Sequence, residues 1–82
     1  MSEASIAKLN AFITSEILKQ PGRQLSPAEK LISSGLIDSF NLVDLSIFVE
    51  TTFGVHIDDT ELNASTFDSL NELAALIQER QA

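Results

Sequence analysis

The chain contains no cysteine and no tryptophan. Without cysteine there is no disulfide and no thiolate-ligated zinc site, and any thiol chemistry has to come from a group added to the chain. Long apolar runs are also missing. The longest is Leu73 to Ile77, far short of the ~20 residues that a membrane-spanning helix needs. Met1 is followed by polar residues, so no secretory leader is expected and the cytoplasm is the default location. Positive charge is scarce. Five Lys and Arg stand against twelve Asp and Glu, for a net charge of −7, and neither Lys nor Arg occurs between Lys30 and Arg80. This charge argues against nucleic acid as a partner, because its phosphates would be repelled. A surface this acidic favours a soluble monomer and steers toward basic protein partners.

What remains is helical. The 82 residues suit one domain, residues 1–82, with a modest core. Ile6, Leu9, Ile13 and Ile17 recur at helical spacing, Phe12 widens their stripe, and Pro21-Gly22 stops it, predicting a first helix over residues 3–19. Residues 20–37 read as a long loop. Its Leu25, Leu31, Ile32 and Leu36 are too apolar for a solvated linker and are expected to fold back onto the core. Asp38 as N-cap, Asn41 three residues on and Gly54 as a left-handed C-terminal residue bracket a second helix over residues 39–53. Leu42, Leu45, Val49 and Phe53 form its core face. Val55-His56-Ile57 is a short extended link. Asp58 and Glu61 suit a capping box for a brief third helix anchored by Leu62, and Phe67, Leu70, Leu73, Ala74 and Ile77 mark the inner face of a last helix over residues 68–80. The expected fold is all-α: a small four-helix bundle of three long helices and a short third one, with a long ordered loop between helices 1 and 2.

Catalytic and metal constellations are weak. Ser39, His56 and an acid make a triad only on paper. Ser39 lacks the flanking glycines of a nucleophile elbow, and the single histidine lies beyond the far end of the second helix. His56 is expected to be exposed between two inward apolar neighbours. Asp58-Asp59-Thr60-Glu61 lacks the glycine and the terminal glutamate of a calcium-binding EF-hand loop, and capping explains it better. No metal site and no catalytic residue are expected.

The most informative stretch is Gly35-Leu36-Ile37-Asp38-Ser39-Phe40. A serine there stands at a helix start, where first-turn amides are unpaired and the helix dipole favours an anion. A second copy, Asp68-Ser69-Leu70-Asn71, repeats the spelling of Asp38-Ser39-Phe40-Asn41, so the dipeptide alone does not select between them. The sextet resembles the phosphopantetheine attachment site of acyl carrier proteins, and the resemblance covers residues 6–77. The family places the modified serine at the start of its second helix, after a glycine and an apolar pair, which matches Ser39. Thr66-Phe67 before Ser69 resembles the start of the family's final helix instead.

The resemblance implies a carrier and not an enzyme. A phosphopantetheinyl transferase would attach 4′-phosphopantetheine from coenzyme A to Ser39. The arm's thiol would carry an acyl or aminoacyl group for a loading ligase and for downstream acyl-using enzymes of lipid, polyketide, lipopeptide or related biosynthesis. In such carriers the second helix docks onto basic patches of partners, so Asp38, Phe40, Asp44, Ile47 and Glu50 are the expected partner face. The Asp-Ser-Phe spelling resembles that of D-alanyl carrier proteins and of some discrete carriers of biosynthetic clusters. Leu36-Ile37 is unlike the Gly-Gly pair of carrier domains within peptide synthetases. The competing class is a cofactor-free acidic helical interaction module, using the same second-helix face.

Overall fold

The structure is a computed structural model and describes residues 3–81; residues 1, 2 and 82 of the expected 1–82 domain lie outside the described residues. Three α-helices form: α1 (Glu3–Phe12), α2 (Ser39–Phe53) and α3 (Leu70–Gln81). No strand occurs among the described residues. Helix α3 packs against both α1 and α2, and Phe12 of α1 stacks on Phe48 of α2 with ring centroids 4.2 Å apart. Leu9 and Ile13, then Leu42, Leu45 and Val49, then Phe67, Leu70, Leu73, Ala74 and Ile77 all enter one core.

The first helix departs from its expected course. After Phe12 the chain widens into a π-helical turn, Ile13–Ile17, closed by a Leu18 N–H to Ile13 carbonyl bond of 2.9 Å. Thr14 sits within the widened turn. Its buried hydroxyl donates back to the Asn10 carbonyl at 2.8 Å, which competes with the regular backbone ladder. The turn ends at Lys19, a non-glycine residue with a φ of 57°. A side chain in this left-handed region costs about 1 kcal/mol. Lys19→Gly is therefore expected to raise the melting midpoint by about 3–6 °C in a domain of this size, read by thermal unfolding. An unchanged or lower midpoint would show that Lys19 carries no strain.

The expected short third helix is corrected to a single 3-10 turn, Asp59–Glu61. The capping box is present: Asp58 accepts from Thr60 N–H, and Glu61 accepts from Asp58 N–H at 3.0 Å. Beyond it the chain turns at Asn63, whose side-chain oxygen accepts from the amides of Ser65 and Thr66 and whose carbonyl accepts from Thr66 and Phe67 N–H. Three α-helices thus stand where four helices were expected. The turn is tied to the end of α3 by the Glu61–Arg80 ion pair, and hydrogen bonding from Arg80 holds the Glu61 carboxyl down at about 2.

The long loop is ordered, as expected. Leu25 and Leu31 are buried, while Ile32 and Leu36 pack against the core from its edge. Two interactions join the loop to the start of α3. Asn71 N–H donates to the Pro27 carbonyl at 3.1 Å, and Asp68 receives a set of donors from residues 31–33. Gly35, at a φ of 81°, then makes the left-handed bend before Ile37, which is buried and delivers the chain to Asp38.

Candidate functional site

The site is built on the first turn of α2. Asp38, in extended conformation, caps it: its carboxylate accepts from Asn41 N–H at 2.9 Å, and its carbonyl accepts from Leu42 N–H at 3.0 Å. That leaves the amides of Ser39 and Phe40 without partners among the described residues, pointing along the positive end of the helix. Ser39 is exposed, and its hydroxyl makes no hydrogen bond to any described residue. Gly54 closes the same helix in left-handed conformation, at a φ of 71°. Both ends of α2 therefore fall where the sequence put them.

The second Asp-Ser pair has the opposite environment. Ser69 is 5% exposed and Asp68 6%. The Ser69 hydroxyl caps α3 by accepting from Glu72 N–H at 3.2 Å, while Glu72 reaches back to accept from Asp68 N–H at 2.7 Å. One spelling thus serves two ends: an accessible hydroxyl at α2 and a buried cap at α3.

The outer face of α2 turns directly away from its buried face. Phe40 is 83% exposed, Ile47 59% and Val43 46%, with the exposed acids Asp44 and Glu50 beside them. Phe40 and Ile47 do not extend the core. Val43 was not singled out by the sequence, although its place one turn after Phe40 on the same face was the available signal. Glu50 is partly engaged, because its carboxylate lies 3.1 Å from Nδ1 of His56. That hydrogen bond raises the His56 pKa above the usual histidine value. The pair is therefore strongest at and below the ordinary histidine range and weakens as pH rises through the raised value. Both groups are exposed, so the pair adds little stability. His56 itself is exposed between the buried Val55 and Ile57, as expected, and takes no part in the Ser39 environment. No cluster of potential metal ligands occurs among the described residues, and none of their helices is long and apolar enough to cross a membrane.

A family model described as a phosphopantetheine attachment site matches residues 11–77, more than half of the chain. The chain belongs to this phosphopantetheine attachment-site family. Its cofactor is accordingly 4′-phosphopantetheine, held covalently, and the protein is a phosphopantetheine carrier. Comparison with curated proteins and comparison with solved structures each found no match. A covalent phosphodiester needs an accessible hydroxyl, and the exposed, unbonded Ser39 hydroxyl fits that need while the buried Ser69 hydroxyl does not. As carriers of this family do, the chain works through enzymes that modify and use it.

Proposed function

We propose that Ser39 Oγ is the attachment point and that the chain is a non-catalytic carrier. In the modification, the Ser39 oxygen would form a bond to the phosphorus that bears the pantetheine. The phosphorus–oxygen bond of the coenzyme A diphosphate would break, the nucleotide bisphosphate leaving with the electron pair, and the hydroxyl proton would pass to a base of the transferase. The attached group supplies a thiol able to hold an acyl or aminoacyl thioester. The chain's own residues do the rest: Asp38 fixes the first turn, the free amides of Ser39 and Phe40 favour the phosphodiester, and the outer face of α2 presents the site to partners. The contrast between an exposed Ser39 and a buried Ser69 carries the proposal. A monomer, loaded by a ligase and unloaded by acyl-using enzymes, is the reading that the acidic composition supports best.

Co-expression with a broad-specificity phosphopantetheinyl transferase, followed by intact mass, tests it. The expected result is a gain of one phosphopantetheine; an unmodified chain would favour the cofactor-free interaction module. The partner face is tested separately. Asp38, Phe40, Asp44, Ile47 and Glu50 are assigned to it, with Val43 added because it is exposed between Phe40 and Ile47. Ile47→Ala and Asp44→Asn are each expected to raise the KM of a loading enzyme about three- to tenfold with kcat unchanged, and Asp44→Asn to flatten its salt dependence. Unchanged KM in both variants would remove this face from the account.

A further inference from the structure

We propose that Asp68 is a positioning residue for the modification of Ser39, latching the segment that leads into α2 onto the start of α3. The proposal rests on Ser39 being the attachment point. Asp68 lies thirty-five to thirty-seven residues from its partners in sequence, yet its carboxylate collects four donors from them. Oδ1 accepts from the amides of Leu31, Ile32 and Ser33 at 3.2, 2.7 and 3.0 Å, and Oδ2 accepts from the Ser33 hydroxyl at 2.5 Å. The Asp68 carbonyl also accepts from Leu31 N–H, at 2.8 Å. A buried carboxylate so fully satisfied is a fixed joint, because releasing it strands several donors at once.

The joint is transmitted to the site through short bonds. Leu31 accepts from Ile37 N–H at 3.0 Å, and Ile32 accepts from Gly35 N–H at 3.0 Å. Residues 31–37 therefore close into one tight turn whose base is held by Asp68 and whose end is Ile37, two residues before Ser39. The apolar anchors Leu31 and Ile37 are buried, but Ser33, Ser34 and Gly35 between them are exposed. This exposed arc immediately precedes the acceptor serine, so an enzyme that reaches Ser39 meets it. With the latch intact the arc is already ordered. Without it, the transferase would have to order the arc on binding, and that cost appears in KM and not in the chemical step.

The test uses the full chain as substrate for the transferase, with initial rates of mass gain. Asp68→Asn retains one acceptor and loses the charge and the second acceptor. Ser33→Ala removes the hydroxyl bond without touching the core and serves if Asp68→Asn does not fold. Ala75→Gly, on an exposed position of α3, is the control for lost helix stability alone. The expected KM rises about tenfold for Asp68→Asn and about threefold for Ser33→Ala, with kcat within about twofold, while Ala75→Gly leaves both constants unchanged. Equal effects of Asp68→Asn and Ala75→Gly would overturn the latch as a positioning device, as would a folded Asp68→Asn or Ser33→Ala with wild-type KM. Ser39→Ala is included throughout. If it still gains mass, the proposal falls through its premise; if it is inert while the latch variants behave as wild type, the latch alone fails.

Discussion

Ser39→Ala is expected to abolish the mass gain entirely, whereas Ser69→Ala keeps it and lowers stability instead. The two serines share a sequence context, so the difference has to come from structure. Ser39 has an exposed hydroxyl with no bond to lose, and its replacement by alanine removes the nucleophilic oxygen while leaving the Asp38 cap in place. The melting midpoint of Ser39→Ala should therefore stay within about 2 °C of the wild type, as for other exposed substitutions away from caps and cores. Ser69 is an N-cap that accepts from Glu72 N–H. Losing such a cap costs about 1 kcal/mol, or a midpoint fall of about 4–8 °C. Intact mass and thermal unfolding of the two variants read both effects. The reverse pattern, with modification lost in Ser69→Ala alone, would mean that the buried copy is the modified one.

Asp68→Ala is the substitution with the largest expected effect on stability. It removes the carboxylate that accepts from the Ile32 and Ser33 amides and the Ser33 hydroxyl, while Leu31 N–H keeps the Asp68 backbone carbonyl. A loss of this kind is expected to lower the midpoint by about 10–20 °C. The effect depends on pH with a definite sign. The Ser33 hydroxyl, and then the amides of residues 31–33, hold the Asp68 carboxyl at about 2, below the ordinary 3.8. A carboxyl depressed on folding stabilises the fold above its ordinary value, and that stabilisation is lost as pH falls from about 4 toward 2. The wild type and Asp68→Asn should therefore differ most above pH 4 and converge in acid. Glu61, held at about 2 by Arg80, keeps part of the acid limb in both. Parallel stability curves across this range would show that folding does not lower the Asp68 pKa.

Much of this was legible in the sequence because it is local. Asp38 and Gly54 bracket α2 by capping chemistry that operates within a few residues, and the inner faces of α2 and α3 follow from spacing alone. Phe40 and Ile47 fall outside the core face that the spacing of Leu42, Leu45, Val49 and Phe53 assigns, so their exposure was legible too. Three features were not. The π-helical turn is invisible to a helical pattern, which reads Thr14 and its back-bonded hydroxyl as neutral. The third helix is a 3-10 turn, followed by a turn at Asn63 whose side-chain bonds the helical pattern does not reveal. The role of Asp68 lies furthest from the sequence: as a dipeptide, Asp68-Ser69 looks like a rival of Asp38-Ser39, and its partners sit far back in the chain. Only packing brings residues 31–33 to that carboxylate.

The attachment point itself is the claim on which the rest depends, and a fragment map of the modified chain tests it most directly. Trypsin is unsuitable, since the absence of Lys and Arg between Lys30 and Arg80 leaves both serines on one peptide. Cleavage after glutamate separates them, into residues 30–50 with Ser39 and residues 62–72 with Ser69. The added phosphopantetheine is predicted on the fragment 30–50, at Ser39. Its appearance on the fragment 62–72 would contradict the account.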